Sequence, residues 1–175
     1  DQNGDFNPQN PSGPYYNLLT PMRKVQITAT YGATTYPIFS GFITSYTTTT
    51  PKNANDVVYT VIMAVDAFRL AQNAQISTVA GTSAGQLSGA RINALLDAID
   101  WPASMRDVDA GLSTLQADPG TARTALQALQ TVEISEYGAL YIDASGNFVF
   151  QDRALTASSV SAPAVAFNDD GTDIA

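Results

Sequence analysis

The first third of the chain alternates apolar and polar residues with a period of two, a pattern typical of half-buried β-strands. It predicts strands over residues 25–31 and 36–46, joined by a turn at 31–34. Gly41 lies inside the second strand and indicates either a bulge or the close approach of another backbone. The third strand, 57–65, is apolar on both faces. We therefore predict that it is central in its sheet and inaccessible, with partners that include surface outside residues 1–175.

Three segments around these strands carry weaker patterns. Residues 1–21 are rich in Pro, Gly and Asn, which indicates an ordered, extended lead-in. Residues 66–70 predict a helical turn that closes the β unit. Residues 71–88 have no clear hydrophobic period, so a connector is predicted there.

The hydrophobic period then becomes helical. Ser88 is predicted to cap a helix that ends at 100–102, because Pro disfavours helical backbone at the residue before it. Asp118 and Pro119 predict the start of a second helix, as its cap and first residue, and Gly138 predicts its left-handed stop.

Each predicted helix has one apolar face. The positions are Ile92, Leu95, Leu96 and Ile99 in the first helix and Ala122, Ala125, Leu126, Leu129 and Val132 in the second. We expect these faces to pack together, with Trp101 and Phe148 closing the ends. A β-hairpin follows, with strands at 139–142 and 148–150 and a turn at 143–146.

These patterns predict an α+β protein, in which an antiparallel β-barrel-like unit is followed by a two-helix plus β-hairpin module. The predicted boundaries are 1–70 for the β unit with its lead-in and 71–88 for the connector. The helix–helix–hairpin module spans 89–153, and 154–175 is predicted to be a linker toward a further domain.

Composition excludes several kinds of chemistry. The 175 residues include no His and no Cys, and 8 Lys and Arg against 16 Asp and Glu give a net charge of −8. Imidazole and thiolate catalysis, disulfides and the usual zinc sites are therefore absent. Nucleic-acid binding through a basic surface is disfavoured. No apolar run approaches the roughly 18 residues of a membrane span, so none is predicted.

The acidic residues offer few catalytic or metal-binding candidates. Glu133 and Glu136 lie three apart on one predicted helix and could form a glycosidase-like pair, although a solvent-facing or interface pair is the simpler interpretation. Asp1, Asn3 and Asp5 resemble the start of a calcium loop, but the later ligands are missing. The acidic segment 168–173 could bind a hard cation or be a solvated turn.

The remaining motifs also favour simple structural roles. Gly81, Gly85 and Gly89 do not form a phosphate-binding pattern. Trp101 is a core residue or, alternatively, a platform for a sugar. We predict no catalytic, cofactor-binding or metal-binding residues, and no enzyme activity.

Several segments resemble the hub-type minor tail proteins of long-tailed bacteriophages. The first half contributes DQNGDFNPQNPSGPYYNLLTPMRKVQI, YPIFSGFI and VDAFRLA, and the second half contributes SGARINALLDAIDWPASMRDVDAGLSTLQA and TALQALQTVEISEYGALYIDASGNFVFQDR. The resemblance covers nearly the whole chain, in the same order. It implies a structural protein of the virion tail tip that forms a homo-oligomer, a trimer in this family, and needs no cofactor. It also implies contacts with the distal tail ring, the tape measure and tip or receptor-binding proteins.

Two alternatives and one electrostatic expectation accompany this resemblance. The alternatives are a host-surface glycan-binding module that uses Tyr137, Tyr141 and Trp101, and a cell-wall hydrolase that uses Glu133 and Glu136. In a tail tip, DNA passes without specific binding, so we expect a neutral or acidic channel surface. On that view Asp56 or the acidic segment 168–173 lies nearer the channel than Arg23, Lys24 or Arg153; alternatively, the acidity only maintains solubility.

Overall fold

The structure is a computed structural model, and it describes residues 4–49 and 59–155. The chain forms two compact units. The first contains the described residues up to Asn73 together with Ile142–Phe148, and the second contains Ala74–Tyr141 and the described residues from Val149 onward. Both units combine helix with antiparallel strands, which confirms the α+β class.

The first unit is built on a three-stranded antiparallel sheet. Its strands are β1 (Lys24–Tyr31), β2 (Thr34–Thr48) and β3 (Thr60–Val65), in the order β1-β2-β3. Within the described residues β2 is central and β3 is an edge, so the enclosure predicted for the third strand requires the expected partners outside residues 1–175 and stays a prediction. The apolar residues on both faces of β3 are exposed to solvent within this chain. Residues 57 and 58 of the predicted strand lie outside the described residues.

The long β2 strand is irregular at two places. The register skips Ile38 opposite β1 and Thr44 opposite β3, which are the two bulge positions. Gly41 itself pairs regularly with Val25, but a Cβ at this position would lie 2.3 Å from the carbonyl oxygen of Val65. Of the two interpretations of Gly41, close backbone approach is the correct one.

The segments flanking the sheet are more compact than their composition suggested. Backbone N–H groups of residues 7, 10, 13 and 16 each donate to the carbonyl three residues earlier, so the lead-in is a series of turns rather than extended. Phe6 stacks on Tyr15 at 5.1 Å between ring centroids. The predicted helical turn is present as α1 (Phe68–Asn73), with Asp66 accepting from the Phe68 N–H at 3.1 Å.

The second unit contains two main helices and short strands, except that Ile142 and Phe148, the hairpin ends of the last two strands, belong to the first unit. The helices are α2 (Ser88–Asp97) and α3 (Ala125–Glu136), with a 3₁₀ turn at Ala103–Met105. The strands are β4 (Gln75–Ile76), β5 (Gln86–Leu87), β6 (Arg106–Val108), β7 (Thr114–Leu115), β8 (Arg123–Thr124), β9 (Ala139–Ile142) and β10 (Phe148–Gln151). They pair as β4-β8, β5-β7 and β6-β10-β9. Part of the predicted connector thus pairs with strands from later in the chain.

Three predicted helix ends are wrong. Ser88 is the first residue of α2 rather than its cap, and its hydroxyl is used elsewhere. The second helix begins at Ala125, after a capping box between Thr124 and Gln127. Asp118 and Pro119 instead enter a turn in which Gly120 has a φ of 64°. The left-handed residue that ends α3 is Tyr137, with a φ of 57°, rather than Gly138.

The predicted packing of α2 on α3 is confirmed. The buried apolar residues of the two helices are Ile92, Leu95, Leu96, Ala125, Ala128, Leu129 and Val132. Ile99 lies beyond the end of α2, and both it and Leu126 are half-buried. Phe148 is fully buried and packs edge to face on Phe68, with 5.4 Å between centroids.

Candidate assembly surface

The sheet of the first unit exposes many large apolar side chains. Eight residues on its strands or directly beside them are between 41% and 85% exposed. We call these residues the apolar sheet surface: Ile27, Tyr31, Tyr36, Ile38, Tyr59, Val61, Ile62 and Met63. Soluble monomers rarely expose large apolar patches, and such patches commonly mark interaction sites.

The register places half of this surface on one face of the sheet. Paired residues point to the same side, as do residues two apart on a strand. Ile27 pairs with Phe39, and Ala29 pairs with Tyr36. The same alternation continues along β2 to Ile43, which pairs with Ala64 of β3. Ile27, Tyr31, Tyr36 and Ile62 therefore share a face, whereas Val61 and Met63 point to the other side.

Part of that other face is covered inside the first unit. Ser40 is buried, and its Cβ lies 3.0 Å from the position that a Cβ on Gly146 would take. The turn at Gly146 is fixed by Asp143, whose carboxylate accepts two hydrogen bonds of 2.8 Å from Asn147. The hairpin turn therefore packs on β2 at Ser40, while the apolar sheet surface remains exposed.

Among the described residues, the β3 edge of the sheet carries neither a charge nor a proline. β3 has the sequence TVIMAV, without charge or proline, and Lys24 is the one charged residue in β1, β2 and β3. Natural edge strands are commonly protected by charges, proline or bulges. Two copies of a chain with charge −8 repel each other through most surfaces, but an uncharged sheet can meet its copy without burying a charge.

Glu133 and Glu136, the candidate carboxylate pair, have different hydrogen-bond partners in the second unit. Glu133 accepts the Leu140 N–H at 2.8 Å, and Glu136 makes separate contacts. Glu136 is fully buried, so the solvent-facing interpretation is wrong for this residue. Its place on the buried face was readable from the sequence, because it lies four residues after Val132 and seven after Leu129.

Glu136 is instead the centre of a buried hydrogen-bond network. Its Oε2 accepts from the Ser88 hydroxyl at 2.6 Å and from the Ser113 N–H at 2.7 Å. The Leu112 N–H adds contacts of 3.1 and 3.2 Å to the two carboxylate oxygens, and Arg153 Nε lies 3.8 Å from Oε1. The carboxylate therefore joins the first turn of α2, the 112–113 segment and the end of α3.

The same network sets the charge state of Glu136. Burial by itself raises the pKa, but the hydrogen bonds from Ser88, Ser113 and Leu112 outweigh it and hold the pKa of Glu136 at about 2. A glycosidase acid needs a raised pKa and access to substrate. Glu136 has neither property, and its chemistry is structural.

The aromatic residues proposed for glycan binding have different environments. Trp101 is buried, and its Nε1 donates to the Met105 carbonyl at 3.2 Å, so it is a core residue and not an exposed platform. Tyr137 is 79% exposed, and Tyr141 is exposed with its hydroxyl 3.0 Å from Gln151 Nε2. Trp101 is therefore not available as a sugar platform in the glycan-binding alternative.

Several sequence candidates fall outside the described residues. These are Asp1, Asn3, Asp56 and the segment 168–173; Asp5 of the calcium-like pattern is described. In the described ranges, no group of three or more acidic residues is arranged to hold a metal ion. No helix in these ranges is long and apolar enough to cross a membrane.

No protein-family model and no curated protein match the chain. Among solved structures, the chain is similar to the 43 kDa tail protein of prophage MuSo2 from Shewanella oneidensis, at 14% identity over 75% of this chain and with a TM-score of 0.48. The chain spans 39% of the length of that protein. A similarity of this size does not establish a family and carries no argument about function.

Proposed function

We propose that this chain is a structural component of a bacteriophage tail tip, a hub protein that oligomerises at the distal end of the tail tube. The ordered sequence segments that resemble hub-type minor tail proteins support this role. The structural observation that carries it is the apolar sheet surface, which leaves eight large side chains exposed on a nearly uncharged sheet. In this role the protein acts by forming interfaces and not as an enzyme.

The proposed partners follow from the same surface. In the proposed trimer, the three copies of the chain cover one another's apolar sheet surfaces. Distal tail ring, tape measure and tip or receptor-binding proteins contact the rest of the hub. DNA passes the hub transiently, and the net charge of −8 opposes its retention.

The β3 edge adds a backbone component to this interface. The Thr49 N–H donates to the Tyr59 carbonyl, so alternate pairs along β2 and β3 are hydrogen-bonded from that point. This alternation directs the Val61 N–H toward β2 and the Ile62 N–H toward the free edge. Pairing with a neighbouring strand therefore protects the Ile62 N–H from hydrogen exchange and leaves exchange of the Val61 N–H unchanged.

Sedimentation velocity over a range of concentrations tests the role of the surface. We expect the parent chain to self-associate and Ile62→Lys to remain monomeric, because a lysine in the interface is buried without a partner. Gln130→Lys is the matched control, since it adds the same charge at an exposed position of α3. In hydrogen exchange, we expect association to slow the Ile62 amide and leave the Val61 amide unchanged.

Two results together contradict the proposed function. One is a parent chain that stays monomeric at high concentration, and the other is its absence from purified virions by mass spectrometry. Equal association of Ile62→Lys and Gln130→Lys contradicts the assignment of the interface to this sheet.

A further inference from the structure

The second unit contains a groove of about 700 Å³ between residues 112–119 and helix α3. Its apolar lining includes Leu112, Leu115, Ala128 and Val132, while Arg91 and Arg123 supply two of the eight cations of the chain. The two-residue strand β7 lies on one side of the groove and helix α3 on the other, and extended peptides commonly bind beside an exposed strand.

Arg91 is a buried side chain whose Nε and Nη2 donate to protein acceptors among the described residues, whereas its Nη1 does not. It is 4% exposed, its Nε donates to Gln86 Oε1 at 2.7 Å, and its Nη2 donates to three backbone carbonyls. Those carbonyls belong to Thr82, Ser83 and Gln116, at 3.2, 3.0 and 2.9 Å. Within the described ranges, no acceptor is hydrogen-bonded to Nη1. All of the acceptors are neutral, so no carboxylate pairs directly with Arg91.

The neighbouring charges leave the groove net positive. Arg123 forms an ion pair with Asp118, whose other oxygen accepts the Gly120 N–H at 2.9 Å. Burial lowers the pKa of Arg91, with Asp118 opposing and Arg123 reinforcing this shift, and a guanidinium remains protonated in proteins. The groove lining therefore holds two guanidinium groups and the single carboxylate of Asp118, in a chain whose net charge is −8.

The β7 strand offers backbone groups at the same place. Ser113 and Leu115 accept hydrogen bonds from the β5 side, at 3.0 and 2.8 Å, and Leu87 pairs with Thr114. Because successive residues of a strand direct their backbone groups to opposite sides, the N–H and C=O of Thr114 point away from β5. Thr114 also lines the groove.

We propose that this groove binds an extended segment of a partner protein that carries a carboxylate, with the carboxylate on Arg91 and the backbone paired at Thr114. Charge complementarity selects this occupant, since a carboxylate supplies the acceptor that Nη1 lacks and balances the excess guanidinium. The proposal goes beyond the assembly role and is independent of the sheet of the first unit.

An NMR titration of the ¹⁵N-labelled chain with two capped peptides tests the proposal. The probes are Ac-Thr-Val-Asp-Val-Thr-NH₂ and the same peptide with Asn in place of Asp. We expect the Asp peptide to shift the Arg91 Nε and Thr114 amide signals in a saturable way. The Asn peptide should bind about tenfold more weakly, because it loses a charge-assisted hydrogen bond.

A pair of variants locates the site without disturbing Arg91. Thr131 lines the groove and is exposed, whereas its neighbour Gln130 is exposed outside it. Thr131→Glu should weaken the Asp peptide by severalfold and leave the Asn peptide unchanged, while Gln130→Glu should affect neither. Acetate alone at matched concentration should produce no saturable shift.

Three outcomes overturn the proposal. Equal affinity for the two peptides would show that the carboxylate is not recognised. Acetate binding as tightly as the Asp peptide would show that the groove is a simple anion site. Saturable shifts that leave the Arg91 and Thr114 signals unaffected would show that the peptide binds outside the groove. Because a monomeric chain can give a positive result here, failure of the assembly role and failure of this site are distinguishable.

Discussion

The two units use their apolar residues in opposite ways. In the second unit, Ile92, Leu96 and Leu129 are completely buried between α2 and α3. In the first unit, residues of equal size such as Ile27 and Ile62 are 52% and 41% exposed on the sheet. The helices thus bury their apolar surface against each other, which stabilises the second unit. Much of the sheet instead leaves its apolar surface exposed, where another surface can cover it.

The units also differ in their buried polar groups. The second unit encloses Glu136 and Arg91, each held by several hydrogen bonds. Two cross-strand contacts of the first unit join neutral threonines: Thr30 with Thr35 at 3.0 Å and Thr48 with Thr60 at 3.2 Å. Buried charged networks require fixed partners, so we expect point changes to be far more costly in the second unit.

The largest effect is expected at the buried carboxylate. Glu136→Ala leaves the Ser88 hydroxyl and two backbone N–H groups without their acceptor, at a cost of roughly 3–5 kcal/mol in the free energy of unfolding. Denaturant titration measures this cost. Gln130→Ala, at an exposed site of the same helix, is the control and should change stability by less than about 0.5 kcal/mol. Equal effects would show that the network contributes nothing.

A matched pair of apolar truncations tests the comparison directly. Leu129→Ala in α3 should cost roughly 2–5 kcal/mol, because it opens a cavity in a fully buried core. Ile27→Ala on the sheet should cost less than about 1 kcal/mol in the monomer, since its side chain is 52% exposed. If Ile27→Ala were the more costly change under monomeric conditions, the sheet would be a core and not a contact surface.

Acid should weaken the second unit through Glu136. The pKa of this group is about 2 in the folded chain and 4.5 ordinarily, so its stabilising effect is complete above pH 4.5. It is lost as the pH falls toward 2, with a total near 3 kcal/mol by linkage. Thermal melts of the parent chain and Glu136→Gln between pH 6 and about 2 measure this.

A second carboxyl provides the comparison for that experiment. Burial opposes the charged form of Asp143, but hydrogen bonds from Asn147, Ser145 and Gly146 together outweigh it and lower the pKa of Asp143 as well. Asp143→Asn should remove its own part of the acid sensitivity and leave the part due to Glu136. An unchanged acid profile in Glu136→Gln would contradict the depressed pKa of Glu136.

The sequence predicted local elements better than their partners. Period-two and helical patterns identified β1, β2, the helix pair and the hairpin, because those patterns depend on neighbours along the chain. The pattern of β3 could not show which surface covers it, since an apolar strand has the same pattern whether this chain or another surface does so. The hydrogen-bond partners of Glu136 and Arg91 could not be predicted either, because they come from distant segments of the chain.

The smallest effect is expected at the end of α3, where an exposed residue has strained backbone although the rest of the second unit is tightly packed. Tyr137 has a φ of 57° and is 79% exposed, so it carries the steric cost of left-handed backbone with little burial in return. Tyr137→Gly should therefore stabilise the chain by up to about 1 kcal/mol in a denaturant titration. Tyr137→Ala keeps the steric cost and should change stability little. Destabilisation by both substitutions would show instead that the tyrosine ring holds the helix end in place.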